Sequence, residues 1–290
     1  MYQIIKFPIN LGCDKAGVER GACVLQTLIE GKVAVAKEVK TISCPHVWDF
    51  EDTLEQDNMM YVKPIMECSE ELTRSVCTSL QQGFTPLILG GDHSLAWGSI
   101  SGVLTYDPDV AVVYIDAHGD INTAASTMSK HVHGIHMSFL MNLGEQEYNC
   151  KFTRHPLLPK NLLFVGTRSL DPEEHAIIVR EKIQMLSSKN INALPIDITL
   201  AEISKFIKSH KNIHISLDID VLDPLVAPGT GVPEKDGINV GQLKAILKIL
   251  FDSKQVISMD IVEFNPFLDK ADKTLKAIDD VFSVIPCKTT

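Results

Sequence analysis

The stretch Val110-Ala111-Val112-Val113-Tyr114-Ile115-Asp116-Ala117-His118-Gly119-Asp120 decides how the chain is read. An apolar run of strand length, Val110 to Ile115, leads directly into a cluster of Asp, His and Asp. The construction repeats along the chain. Pro86 to Leu89 precedes Gly90-Gly91-Asp92-His93, Ile213 to Leu217 precedes Asp218-Ile219-Asp220, and Val256 to Ile261 precedes Glu263. Leu162 to Val165 is a further apolar run, and Met1 to Gly12 reads as a short opening strand. Helical patterns separate these runs, and strands that alternate with helices build a parallel sheet covered by helices. Ser69 is placed to cap one such helix, with Glu70 and Glu71 in its first turn, Leu72, Val76 and Leu80 along its apolar stripe and Gly83 as its stop. Asn239 opens another, which carries Leu243, Ile246, Leu247 and Leu250. No repeat, low-complexity tract or Pro/Ser-rich linker divides the sequence. Residues 1–290 are therefore expected to form a single α/β domain, a three-layer α/β/α sandwich around a mostly parallel sheet.

Composition narrows the functional classes. Hydrophobic residues make up 45% of the 290 and charged residues 22%, the balance of a soluble globular enzyme. With 27 basic against 37 acidic side chains the formal charge is −10, and the basic residues are dispersed, which argues against a nucleic-acid partner. No segment approaches the roughly 20 uninterrupted apolar residues of a membrane helix. The first residues lack the positive head and small-residue cleavage site of a secretory leader, so a cytoplasmic protein is expected. The seven cysteines (Cys13, Cys23, Cys44, Cys68, Cys77, Cys150 and Cys287) are odd in number and hold no Cys-x-x-Cys pair. They read as reduced, mostly buried thiols rather than as disulfides or a thiolate zinc site.

The polar clusters follow strands, and in open parallel sheets ligands bind at the carboxyl edge, where adjacent crossovers diverge. Alternate residues of an extended backbone point the same way, so Asp116, His118 and Asp120 can aim at one point, as can Asp218 and Asp220. Any one pair alone would read as turn aspartates. Taken together, Asp116, Asp120, Asp218 and Asp220 with His93 and His118 beside an apolar sheet would cost many kcal/mol in desolvation and repulsion without cations. Two divalent ions balance the charge of those four aspartates, whereas one leaves the cluster strongly negative. The oxygen-rich donor set with two imidazoles suits Mn²⁺ better than zinc. A metal pair roughly 3.5 to 4 Å apart can share a water and lower its pKa from ~15.7 towards about 7, which makes a nucleophile without serine or cysteine.

These motifs resemble those of the arginase, or ureohydrolase, family, and the resemblance covers most of the chain. It is carried by Gly17-Val18-Glu19-Arg20-Gly21, Gly90-Gly91-Asp92-His93-Ser94-Leu95, Asp116 to Thr123, Ser216 to Pro224 and Met259 to Pro266, in this order. It implies two Mn²⁺ per chain, one bound by His93, Asp116, Asp120 and Asp218 and the other by His118, Asp116, Asp218 and Asp220, with Asp116 and Asp218 bridging. It further implies hydrolysis of L-arginine to L-ornithine and urea, serving nitrogen disposal or polyamine supply, by a homo-oligomer, with a trimer as the family expectation. Asn122 and Ser129 resemble the contacts to the substrate α-carboxylate, and Asp171 with Glu174 resembles the contact to its α-amino group. His133 is similar to the family's proton-shuttling histidine, Glu263 to the glutamate that pairs with the guanidinium, and Asp120 is expected to relay a proton to the departing amine.

The chain departs from the family pattern at Gly119, at Val221 and at Val232, where a threonine often stands near the substrate. It ends 27 residues after Glu263, without the long tail that many animal arginases use between subunits. Agmatinase or formiminoglutamase would share the metal chemistry but not the amine or acid end of the substrate, and Asn122, Ser129 and Asp171 weigh against them. A catalytically silent regulatory subunit is opposed by the complete set of ligand side chains, and a zinc deacetylase of similar architecture is a remote third reading.

Overall fold

The computed structural model describes residues 1–13, 15–36 and 38–287. Eight strands form its main sheet: β1 (Tyr2–Phe7), β2 (Lys40–Thr41), β3 (Thr85–Gly90), β4 (Ala111–Ile115), β5 (Leu162–Val165), β6 (Gln184–Leu186), β7 (Ile213–Asp218) and β8 (Val256–Val262). They lie in the order β2-β1-β3-β8-β7-β4-β5-β6, and every neighbouring pair is parallel. The last strand in sequence thus separates β3 from β7, with Met259 opposite Leu87 and Ile261 opposite Leu217. A small antiparallel pair, Glu55–Gln56 with Met59–Met60, stands apart.

Every residue of β3, β4, β5 and β7 is buried, which explains why β4 and β5 read as unbroken apolar runs and why the polar His214 and Ser216 of β7 face partners inside the protein. The two-residue period survives as a division between faces. Val112 and Tyr114 of β4 join one core with Leu72, Ile100, Phe139 and Ile177, whereas Ala111, Val113 and Ile115 join the other with Leu25, Ile203, Leu243 and Ile278. The first face is therefore covered by α2 (Val62–Gln81), α3 (Ala96–Tyr106), α4 (His136–Leu140) and α5 (Pro172–Glu181). The second is covered by α1 (Val18–Glu30), α6 (Ser188–Ala193), α7 (Ile196–Lys208), α8 (Val240–Asp252) and α9 (Lys273–Phe282). Each fully buried Val, Leu or Ile contributes about 1.5–3 kcal/mol, so the sheet's rigidity comes from both sides at once. The expected three-layer α/β/α sandwich is the fold observed.

One helix differs from its sequence reading. Ser69 does not cap α2; the helix begins at Val62, and Ser69 is fully buried within it. The apolar stripe of Leu72, Val76 and Leu80 extends back through Ile65 and Val62, so burial against the core overrides the local capping signal. At that level α3 crosses so closely that a Cβ on Gly98 would stand 2.8 Å from the Ser69 carbonyl oxygen. Two other signals hold. Asn239 accepts from the Gln242 N–H at 2.9 Å and Gln242 returns the contact at 2.8 Å, a capping box, while Gly83 ends α2 with φ 81°. Cys13, Cys44, Cys68 and Cys77 are buried, Cys150 is half-buried, Cys23 and Cys287 are exposed, and none forms a disulfide among the described residues. No helix among those residues is long and apolar enough to cross a membrane.

Candidate metal centre

Parallel register brings the polar clusters to one edge. Ile115 pairs with both Leu217 and Val165, and Asp218 pairs with Val262, so Asp116, Asp218 and Glu263 leave the sheet at the same level. Beyond that edge the backbone is not extended as the sequence reading assumed. Asp116 Oδ1 accepts the His118 N–H and Asp218 Oδ1 accepts the Asp220 N–H, both at 2.7 Å, and these local bonds curl the chain. Asp220 consequently sits in a 3₁₀ turn, Ile219–Val221, and Asp120 takes a left-handed backbone with φ 51°. The side chains converge all the same, by turn geometry rather than by strand alternation.

Two groups of ligand atoms result, His93 with Asp116 and Asp218, and His118 with Asp116 and Asp220, so Asp116 belongs to both. His93 Nδ1 lies 2.9 Å from Asp116 Oδ2, 3.3 Å from Asp218 Oδ2 and 3.4 Å from Asp120 Oδ2. His118 Nδ1 lies 3.0 Å from Asp220 Oδ2 and 3.4 Å from Asp116 Oδ1. Asp116 is fully buried, and among the described residues its Oδ2 has no hydrogen-bond donor, only the ion-pair contact to His93 Nδ1 at 2.9 Å. An orphaned carboxylate oxygen in a dry site is costly, and a divalent cation supplies what it lacks, so the residues present fit a metal.

Residues that the sequence reading gave no role fix the orientation of these groups. His93 Nε2 lies 2.9 Å from Ser216 Oγ, which donates to Asp260 Oδ1 at 2.6 Å, and Asp260 Oδ2 is reached by His214 Nε2 at 3.0 Å and by Ser99 Oγ at 2.6 Å. That chain leaves His93 Nδ1 as the nitrogen free to face an ion. The available signal was Asp260 itself, a carboxylate inside the apolar run of β8. Tyr114 Oη donates to Asp120 Oδ2 at 2.6 Å and stands 3.1 Å from His136 Nε2. Arg168 donates to the carbonyls of Gly166, Asp220, Val221, Glu234 and Lys235, which pins the turn after β7 to the wall formed by residues 231–237.

Above the cluster opens a cavity of about 260 Å³, lined by His118, Asp120, Asp218 and Asp220 at the floor and by Asn122, Ser129, His133, Asp171, Glu174 and Glu263 around it. His93 and Asp116 lie in direct contact with that floor. Every sequence-predicted site residue is thus gathered here. Glu263, at φ 63°, accepts on Oε1 from the His93 N–H at 2.9 Å, with His133 Nδ1 3.2 Å away. Asn122 Nδ2 donates to Asp171 Oδ2 at 2.9 Å, and its Oδ1 accepts from Ser126 Oγ at 2.8 Å. Glu174 accepts the N–H groups of Ile121 at 3.1 Å and Asp171 at 2.9 Å, which braces both loops. Gly134, Ser169, Val232 and Glu234 complete the lining, and the Val221 methyl packs over Gly166, where a Cβ would stand 2.3 Å from it.

Without a cation the cluster retains protons. Burial, reinforced by Asp116, pushes the Asp120 carboxyl up to about 8, and burial holds Asp218 and Asp220 above the usual carboxylate range. Burial alone would lower His93 and His118, but Asp116 with Asp218 raises the first and Asp220 with Asp116 the second. Burial likewise opposes charge on His133, yet its bond to Glu263 lifts it to about 9. A carboxyl raised on folding adds stability that is complete below its unfolded value of about 4 and lost as pH climbs through the folded value, here about 8. Raised imidazoles lose theirs above about 6.5 in the same direction. A divalent ion displaces those protons, so its affinity rises over the same interval. The melting-temperature gap between Mn²⁺-loaded and chelator-stripped protein should therefore widen from about pH 6 to about pH 9; a gap that narrows would contradict the assignment.

Comparison with known proteins agrees with this geometry. The family model described as "Arginase family" matches residues 2–285. Arginase-2, mitochondrial, of Rattus norvegicus is 31% identical over 94% of this chain and 80% of its own length. The native structure of arginase from Bacillus caldovelox superposes with a TM-score of 0.89 at 29% identity and covers all of both chains. The arginase of Entamoeba histolytica in complex with L-ornithine superposes with a TM-score of 0.87 at 27% identity, over 98% of this chain and 99% of that one. With a sheet edge that gathers shared aspartates and imidazoles, and a match that runs nearly end to end, the chain belongs to the arginase family of hydrolases.

Proposed function

We propose that the chain is a dimanganese arginase that hydrolyses L-arginine to L-ornithine and urea. The observation that carries this reading is the Asp116 carboxylate, buried, without a hydrogen-bond donor to one oxygen among the described residues and shared between the two imidazole groups. His93, Asp116, Asp120 and Asp218 would hold one ion, and His118, Asp116, Asp218 and Asp220 the other. When bound, such a pair supplies hydroxide at neutral pH by lowering the pKa of a shared water towards about 7.

The chain's own residues do the rest. Glu263 offers a carboxylate to the planar guanidinium fork, a match of shape and charge. Its Oε1 is the group beside His133, so a guanidinium that takes Glu263 frees His133 to exchange a proton with solvent. Asp120, at the floor of the cavity, is placed to deliver a proton to the departing amine. Asp171, braced by Glu174, presents a carboxylate to an α-amino group, while Asn122 Nδ2 and Ser129 Oγ present neutral donors to an α-carboxylate. Val232 lines the cavity without the hydroxyl a threonine would add.

The manganese-loaded protein should be incubated separately with L-arginine, agmatine and formiminoglutamate, and urea or formamide release measured. Urea from arginine alone is expected; faster release from agmatine would transfer the reading to the amine-terminated substrate. Light scattering on the same sample tests the trimer.

A further inference from the structure

We propose that Tyr114 and His136 act as a positioning pair that fixes the Asp120 carboxylate and thereby sets metal affinity and turnover in this chain. The inference deepens the metal reading above, and rests on it, because it takes Asp120 to be a ligand and proton carrier.

His93, Asp120 and His136 form a third buried group whose ligand atoms lie within 4.8 Å of one another, so His136 could be taken for an additional metal ligand. Distances to Tyr114 decide otherwise. Its Oη stands 2.6 Å from Asp120 Oδ2, 3.1 Å from His93 Nδ1 and 3.1 Å from His136 Nε2. The hydroxyl therefore occupies the space between the three groups, where an ion held at about 2.0–2.2 Å from each would have to stand. That triangle is a hydroxyl site. Its one proton goes to the closest acceptor, the Asp120 carboxylate, and the oxygen lone pairs are left to accept from His136 Nε2–H. His93 Nδ1 then remains available to an ion.

Two independent contacts make the arrangement rigid. Tyr114 is fully buried, stacked on His93 with ring centroids 4.7 Å apart and the planes 3° from parallel, and held edge-on by Phe164 at 5.6 Å. The segment that carries His136 also holds the backbone of Asp120, because the Met137 N–H donates to the Asp120 carbonyl at 3.1 Å. Asp120, in its left-handed conformation, is thus gripped at both ends by α4, directly through the main chain and through Tyr114 at the carboxylate. Partners of metal ligands typically change affinity or activity by about 10- to 100-fold when removed.

The test compares wild type, Tyr114→Phe, His136→Leu and His136→Gln by calorimetric Mn²⁺ titration and by steady-state kinetics, with the melting temperature of each metal-free variant as a control. Tyr114→Phe should weaken Mn²⁺ binding by about 10- to 100-fold and lower kcat by a similar factor, while KM changes by less than about twofold and the metal stoichiometry is kept. His136→Leu should reproduce that loss, and His136→Gln, which retains an N–H donor, should recover most of it. Wild-type Mn²⁺ affinity and kcat in Tyr114→Phe would overturn the proposal. So would the loss of one whole ion in His136→Leu, which would make His136 a ligand, or an affinity loss that merely follows the metal-free melting temperature and is equal in His136→Gln. A wild-type protein that takes up no manganese sinks the metal reading itself and this pair with it. Because the titration needs no substrate, it is independent of whether arginine is hydrolysed.

Discussion

Asp116→Ala should reduce bound manganese from the proposed two ions per chain to less than one and lower kcat/KM by at least about 10⁴-fold, a loss of about 5.5 kcal/mol of transition-state stabilisation. Although Asp218 is also proposed to serve both ions, Asp116 is, among the described residues, the side chain common to the close groups built around His93 and His118. Its Oδ1 is tied to the His118 N–H and its Oδ2 faces His93 Nδ1, so alanine removes a shared ligand and leaves two imidazoles without the charge between them. Asp116→Asn is the informative control. It keeps the size of the side chain and an oxygen for the His118 N–H, so a comparable loss there isolates charge from shape. Metal analysis and urea release on the same preparations decide the matter, and activity within tenfold of wild type in Asp116→Ala would remove the central premise.

Glu263→Gln should lower kcat/KM by about 10²- to 10³-fold with both metals retained, the range expected when a buried charge loses its partner. Glutamine can still accept the His93 N–H, now held at 2.9 Å, so the loop after β8 should keep its shape. What disappears is the charge proposed to face the guanidinium, and with it the contact that lifts His133 to about 9. Because Glu263 favours the protonated imidazole, its neutralisation should move the corresponding limb of the pH–rate profile to lower pH. An unchanged kcat/KM, or a limb that stays in place, would assign Glu263 to structure alone.

Much of this site was legible because its carboxylates and imidazoles follow closely on apolar runs, where strands must end. Asp116 after Ile115 and Asp218 after Leu217 are local signals, and parallel register turns them into a common location. The groups that orient the ligands were not legible by that logic. Ser216, His214 and Asp260 lie inside strands, where their only mark is polarity among apolar neighbours, and their mutual contact depends on the pairing of β7 with β8. Tyr114 read as one more hydrophobic member of its run, since nothing local places its hydroxyl against Asp120. The paths of Asp120 and Asp220 were misread for a different reason. Aspartates that accept the N–H two residues onward bend the very backbone whose straightness was assumed. Ser69 failed because a local capping pattern was outweighed by the apolar residues that precede it.

The position of β8 also orders events during folding. It fills the gap between β3, which leads to His93, and β7, which leads to Asp218, yet it spans residues 256–262. The two donors come into register only when residues 256–262 have paired with both flanking strands. Completion of the edge that gathers His93 and Asp218 thus waits on one non-local strand insertion, whichever of the other strands pair first.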